Sequence, residues 1–326
     1  MKVILVTGGC GFIASNFLLH VVGAYPHIRW LNLDKLDYCA NVKNVQDLTT
    51  QANYKFIEGN VANRELLKHM FDEYRVDGVI HFAAQSHVCR SFQTARAFVD
   101  DNIVATSVLM EVCSHFCAQL ERIIYVSTDE VVGDCNEGLA DESAPHNPSN
   151  PYSASKAGCE LICKSYANAW RIPLLITRGN NVYGPRQYPE KVVPAFIRAL
   201  QRNGQMQIHG DGSSKRTFMY IADAVQAYAT ILFKGLVGET YNIASAETNE
   251  ESVLEIAKQI AEHVSGHLDK SHLAYVSDRV YNDRRYHIDG GKLQGLGWVE
   301  QYDVQRGLVE TVNWYKSNPT WWACDE

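Results

Sequence analysis

Short, nearly continuous apolar runs at residues 3–6, 30–33, 54–57, 78–82, 122–126 and 174–177 alternate with amphipathic stretches such as 64–74 and 98–117. Apolar runs of this length suit strands buried on both faces, and the stretches between them carry helical periodicity. Alternating strand and helix predicts an α/β fold, a doubly wound parallel sheet with helices on both faces. After Val182 the pattern changes to Gly, Pro and polar clusters (Tyr183-Gly184-Pro185, Gly210-Asp211-Gly212) interleaved with isolated helices over 192–202 and 251–263. The expected organisation is a first domain over 1–182 and a smaller mixed α/β lobe over 183–326 above the sheet's carboxyl edge. Residues from about 217 to 245 are expected to pack back on the first domain.

Composition narrows the function class. Hydrophobic residues make up 46% of the 326 positions and charged residues 21%, an ordinary globular balance. A net charge of −7 argues against general nucleic-acid binding. The nine cysteines are scattered without paired Cys-x-x-Cys knuckles, so reduced buried thiols are expected rather than a disulfide framework or a metal site. The opening residues do not read as a signal peptide, and no apolar run reaches membrane-spanning length. The expectation is a cytoplasmic protein.

Gly8-Gly9-Cys10-Gly11-Phe12-Ile13-Ala14 follows the first strand and opens a helix. Gly8 permits a tight turn, Gly11 lets backbone approach a pyrophosphate, and the helix N-terminus faces the negative charge, a Rossmann-type dinucleotide signature. Asp34 ends the second strand twenty residues after Ala14, placed to accept from both ribose hydroxyls and repel a 2′-phosphate. NAD is therefore favoured over NADP, with Lys35 weakening the preference. Asn60, before Val61, suits either an adenine edge or an ordinary turn. Ala83 and Ala84 after the fourth strand let a dinucleotide lie close, while His81, among apolar neighbours, reads as a core histidine.

Tyr152 and Lys156 lie one helical turn apart after Asn150-Pro151. An ammonium beside a phenol, with a positively charged nicotinamide, is expected to lower the phenol's pKa from ~10. Upstream, Ser127-Thr128-Asp129-Glu130 places a hydroxyl and two carboxylates at a strand's carboxyl end.

These segments resemble the extended short-chain dehydrogenase/reductases, and within them the nucleoside-diphosphate-glucose 4,6-dehydratases. The resemblance spans nearly the whole chain and also rests on Ala83-Ala84-Gln85-Ser86-His87-Val88, Asn180-Asn181-Val182-Tyr183-Gly184-Pro185, Pro189-Glu190-Lys191 and Asn282-Asp283-Arg284-Arg285-Tyr286. Thr128-Asp129-Glu130 discriminates most, because sister epimerases and decarboxylases lack the acidic pair. The resemblance implies NAD as a temporary hydride store and a nucleotide-sugar partner. Tyr152, helped by Thr128 and Lys156, would take the proton of the sugar 4-hydroxyl, Glu130 the C5 proton, and Asp129 would protonate the departing 6-hydroxyl. It further implies a substrate pocket of Ser86, His87, Thr128, Asn181, Lys191, Arg216, Arg279, Asn282 and Tyr286, and a homodimer built on helices within 98–117 and 159–170.

The chain departs from the family pattern at Asn60, Gln85, Cys89 and Val132; Cys89 and Val132 fall near the presumed sugar pocket. The loops at 179–185 and 208–213 look more like the UDP-glucose enzymes of eukaryotes and plants than the bacterial dTDP-glucose enzymes. UDP-glucose is accordingly the expected substrate. dTDP-glucose, UDP-N-acetylglucosamine, 4-epimerisation and a non-enzymatic NAD-sensing regulator stand as alternatives.

Overall fold

The fold is that of a computed structural model describing residues 1–134, 138–277 and 287–322. Five strands of the first half, β1 (Val3–Thr7), β2 (Arg29–Asp34), β3 (Tyr54–Glu58), β4 (Gly78–His81) and β5 (Arg122–Val126), are joined by β6 (Leu174–Gly179) and, from far along the chain, by β10 (Thr240–Ile243). Their order is β10-β6-β5-β4-β1-β2-β3, and each neighbouring pair runs parallel. The order reverses between β1 and β4, the switch point where ligands bind in such sheets.

Strand alternation sorts the core into two layers. Ile4, Val6, Trp30 and Ile80 face helices α1 (Phe12–Ala24) and α8 (Ile221–Lys234), whereas Leu5, Leu31, Val79 and Ile123 face α2 (Arg64–Tyr74), α5 (Ala105–His115) and α6 (Pro151–Trp170). Every one of these strand residues is essentially inaccessible to solvent, which is why each strand reads as an unbroken apolar run. A second layer of smaller elements covers the carboxyl edge. It holds the mixed sheet β11-β9-β7 (Glu250–Ser252, Lys215–Tyr220, Asn181–Tyr183) and the pair β12-β8 (Leu273–Val276, Met206–His209). Helices α7 (Val192–Gln201), α9 (Val253–Ser265) and α11 (Val304–Ser317) pack together beside them, and short α10 (Gly291–Gln294) lies against β10.

Local chemistry sets the ends of the longer helices. Asn150 caps α6, its side chain accepting from Ser153 N at 2.9 Å, with Pro151 at the first helical position. Ser252 and Glu255 form a reciprocal capping box at α9, so that helix starts two residues later than its periodicity suggests, and the preceding residues pair as β11. The continuous helix expected over 98–117 is present as far as His115, with a π-helical turn within it. After short α3 (Val88–Gln93) and α4 (Ala95–Phe98), residues Val99–Val104 form a π-helical turn before α5 begins. Its buried Asn102 accepts from Gln85 N (2.7 Å) and donates to Gln85 O (3.1 Å) and Ser155 Oγ (2.8 Å), bonds that fix the extra residue's place. Among the described residues, no helix is long and apolar enough to cross a membrane.

Phe17 lies fully buried where α1 meets the sheet, edge-on to Trp30 with ring centroids 5.9 Å apart. Phe17→Ala is expected to cost about 3–5 kcal/mol, read as a lowered midpoint in chemical denaturation.

Candidate active site

The turn after β1 abuts the segment after β4. Gly8 has φ +71°, and a Cβ there would lie 2.8 Å from Ala83 Cα. α1 starts at Phe12 with no acidic residue in its first turn, so its N-terminal amides offer an uncompensated positive end. Asp34 closes the far side of this cradle. Its carboxylate accepts from Cys10 N (2.9 Å) and Leu36 N (2.8 Å), which hold it at the mouth of the cleft. A cradle that only glycine can line, a helix end and an oriented carboxylate fit NAD. Lys35 is pinned between Asp37 (2.9 Å) and Asp101 (2.7 Å), and Gln85 Nε2 donates to the same two aspartates. Its charge is thus consumed locally, and it weakens the NAD preference less than its position in the sequence suggests. Asn60 lines the cleft while its Oδ1 accepts from Ala62 N at 2.8 Å, so the turn and ligand readings coexist and the amide nitrogen is the group left for a base. His81 is a core residue, between Thr7 Oγ1 (2.6 Å) and Thr106 Oγ1 (3.1 Å), its pKa lowered by burial to about 3.

One cleft of about 290 Å³ runs from this cradle to the ends of β5 and β6. Gly8, Gly11, Phe12, Ile13, Asp34, Lys35, Val61, Ala83 and Ala84 line the cofactor side. Ser86, Thr128, Glu130, Tyr152, Lys156, Asn181 and Lys191 line the remainder. Lys191 Nζ donates to Ser86 O at 2.8 Å, bridging the upper layer to the sheet.

The catalytic candidates converge because β5 ends at Val126 and the chain turns at once into a 3-10 segment, Asp129–Val132, capped by Thr128. Thr128 Oγ1 donates to Asp129 Oδ1 (3.1 Å), Asn180 Nδ2 to Asp129 Oδ2 (2.8 Å), and Asn150 Nδ2 to Glu130 Oε2 (2.9 Å). Asp129 is only 2% exposed and stands behind the cleft wall rather than in it. Burial, then the neighbouring Glu130 charge, raise its pKa to about 7 despite the two hydrogen bonds. Lys156, one turn along α6 from Tyr152, donates to Val126 O at 2.6 Å and lies over the Tyr125 ring. Burial lowers its pKa. At Tyr152 the protein's own groups act against the lowering expected from ammonium and nicotinamide together. Burial first, then the Glu130 charge, push the phenol well above its ordinary value, with a Thr128 hydrogen bond opposing; the short bond of Lys156 goes to the strand carbonyl.

Other sequence-identified residues sit elsewhere. His87 caps α3 through its ring, accepting from Arg90 N at 3.2 Å, and does not line the cleft. Arg216, on β9 outside the cleft lining, still lowers the Asp129 pKa through its charge. Arg279, Asn282 and Tyr286 lie outside the described residues. Asn150 and Asn180, which hold the two carboxylates, went unnoticed in the sequence as site residues; the only signal was their placement before a helix and after a strand.

The family model for GDP-mannose 4,6 dehydratase matches residues 5–311. The chain is 45% identical to mouse dTDP-D-glucose 4,6-dehydratase over 322 residues, covering 97% of this chain and 89% of that one. It is 41% identical to a trifunctional Arabidopsis thaliana enzyme named for UDP-glucose 4,6-dehydratase, epimerase and reductase activities, covering 99% of this chain but 48% of that protein. The dTDP-glucose 4,6-dehydratase DesIV of Streptomyces venezuelae, solved with NAD bound, superposes with a TM-score of 0.93 at 36% identity, covering 98% of this chain and 99% of that one.

A buried carboxyl with a raised pKa is protonated in the fold where the unfolded chain is already ionised. Below ~4 both states hold the proton; between there and about 7 only the fold does, so this group's contribution to stability declines as pH rises across that window and is level above it. Asp129→Asn should remove that slope, checked by denaturation midpoints of both proteins from pH 4 to 8. With the cofactor cradle, the acidic pair and these relatives together, the chain belongs to the nucleoside-diphosphate-glucose 4,6-dehydratases, NAD-dependent hydro-lyases of the extended short-chain dehydrogenase/reductase family.

Proposed function

We propose that the protein converts UDP-glucose to UDP-4-keto-6-deoxyglucose. The observation that carries the reaction is Asp129, buried with a pKa near 7 beside the cleft-lining Glu130. A buried carboxyl with a raised pKa next to a cleft-lining carboxyl suits an acid and a base for one elimination. NAD, seated against Gly8, Gly11, Asp34 and Ala83, supplies a reversible two-electron oxidant for the sugar. Tyr152, hydrogen-bonded with Thr128, takes the proton of the 4-hydroxyl; Lys156 anchors its helix to β5 through Val126 O, and a cationic ligand ring would favour the phenolate. Glu130, oriented by Asn150, removes the C5 proton once C4 is a ketone, and Asp129 protonates the departing 6-hydroxyl. Asn181 and Lys191 in the cleft, with Arg216, Arg279, Asn282 and Tyr286, are assigned to the nucleotide, and Ser86 and His87 to the sugar end.

UDP is favoured by the loops at 179–185 and 208–213 and by the Arabidopsis relative, which matches almost the whole of this chain. dTDP-glucose is the second reading, favoured by the higher identity of the mouse relative. We further propose a homodimer across α5 and α6, whose outer face exposes Leu161 (57%) and Trp170 (49%), and a cytoplasmic location, in keeping with the free described cysteines.

Incubation with UDP-glucose, dTDP-glucose and UDP-N-acetylglucosamine in parallel, followed by mass spectrometry, is expected to show loss of one water (~18 mass units) fastest from UDP-glucose. Galactose formed without mass change would establish an epimerase instead. Glu130→Gln should lower kcat by roughly 10²–10⁴-fold while NAD stays bound. Leu161→Glu should shift the sedimentation-equilibrium mass from dimer to monomer.

A further inference from the structure

Behind the cleft lies a second polar cluster that none of these proposed steps uses. Glu160 on α6 and Arg178 on β6 are essentially inaccessible to solvent. They meet in a two-pronged pair, Arg178 Nε to Glu160 Oε1 at 3.0 Å and Nη2 to Oε2 at 2.8 Å. His146 Nε2 approaches both, 2.9 Å from Glu160 Oε2 and 3.2 Å from Arg178 Nη2, and Arg178 Nη1 reaches Glu142 O at 3.5 Å. The Ser127 hydroxyl also favours the Glu160 anion, and with the histidine and arginine it holds that carboxyl at about 2 against the cost of burial.

A fully buried pair is a poor device for stability alone, since desolvating both ions offsets most of their attraction. Its placement in the chain suggests another use. Each member lies a few residues from a group of the proposed reaction, on a different segment. Glu160 follows Lys156 by one turn of α6 and Tyr152 by two. Arg178 precedes Asn180, the partner of Asp129, by two residues. His146 precedes Asn150, the partner of Glu130, by four. Ser127 directly precedes Thr128. Three segments with separate routes through the fold therefore meet at one carboxylate, and each leaves it carrying or holding part of the acid–base set.

We propose that Glu160, gripped by Arg178 and His146, is a positioning residue that sets the distance between Tyr152 on α6 and the Asp129–Glu130 pair after β5. It touches neither substrate nor cofactor. Because oxidation at C4 and elimination across C5–C6 use groups on different segments, losing the junction changes their relative geometry while leaving the nucleotide and NAD contacts of the cleft in place. The inference rests on the proposed roles of Tyr152, Asp129 and Glu130.

Two variants of the full chain test it. Arg178→Lys keeps the charge and loses the fork. The double variant Glu160→Leu/Arg178→Met removes both ions together and leaves no lone buried charge, a replacement that buried pairs commonly tolerate. Both are expected to retain NAD and a cooperative melt, with kcat for water loss down roughly 10–100-fold and KM for the nucleotide sugar within about twofold. Absorbance of reduced cofactor should build up during turnover, as oxidation outruns a misaligned elimination. Wild-type kcat in either folded variant, a loss confined to KM, or failure of both variants to fold would each overturn the positioning role. If the wild-type protein itself releases no water from any nucleotide sugar, the dehydratase reading has failed instead, and that outcome is seen before any variant is made.

Discussion

The site is built around a buried ammonium. Lys156 carries its charge into the interior on α6 and meets one strand carbonyl, Val126 O, and one aromatic face, Tyr125. An ion so placed is costly unless it is solvated by fixed dipoles, so the helix has little freedom to shift along the strand. That contact fixes the height of Tyr152 above the end of β5, where the chain turns into Thr128, Asp129 and Glu130. At Tyr152 itself burial dominates, and the Glu130 charge adds to it.

The protonation states that result are complementary. Burial and the Glu130 charge hold Asp129 neutral up to about pH 7, and the same two influences hold Tyr152 neutral beyond that. Positive charge added beside such a phenol would favour its phenolate. Glu130 lies in the cleft wall with one amide donor, and Asp129 lies behind it with two hydrogen bonds that do not offset its desolvation. Position relative to the wall, more than residue type, separates their environments.

Much of this was legible in the sequence. The six apolar runs are strands because both faces of the sheet are covered, and the glycine turn, Asp34 and the Tyr152–Lys156 spacing are local signals that a linear reading captures. What escaped it depends on contacts between distant segments. The neutralisation of Lys35 requires Asp101, 66 residues away, which reaches it from the π-helical turn. No periodicity announces that turn; it exists because Asn102 bonds Gln85 and Ser155. The seventh strand, β10, falls within the stretch expected to pack back on the first domain, but its pairing beside β6 depends on residues 60 positions and more apart.

Asparagines account for most of the hidden architecture, for a common physical reason. Asn102 joins the segment after β4 to the catalytic helix, Asn150 caps that helix and orients Glu130, and Asn180 holds Asp129. A neutral amide both donates and accepts, so it can tie a carboxylate or a carbonyl in place without adding a charge that would shift the group it holds. Arginine at position 180 would stabilise ionised Asp129 and remove the acid near neutrality, while an aliphatic residue would leave the buried carboxyl without its partner. The chemistry thus requires amide supports, and these are the residues that composition and spacing least distinguish from turn formers.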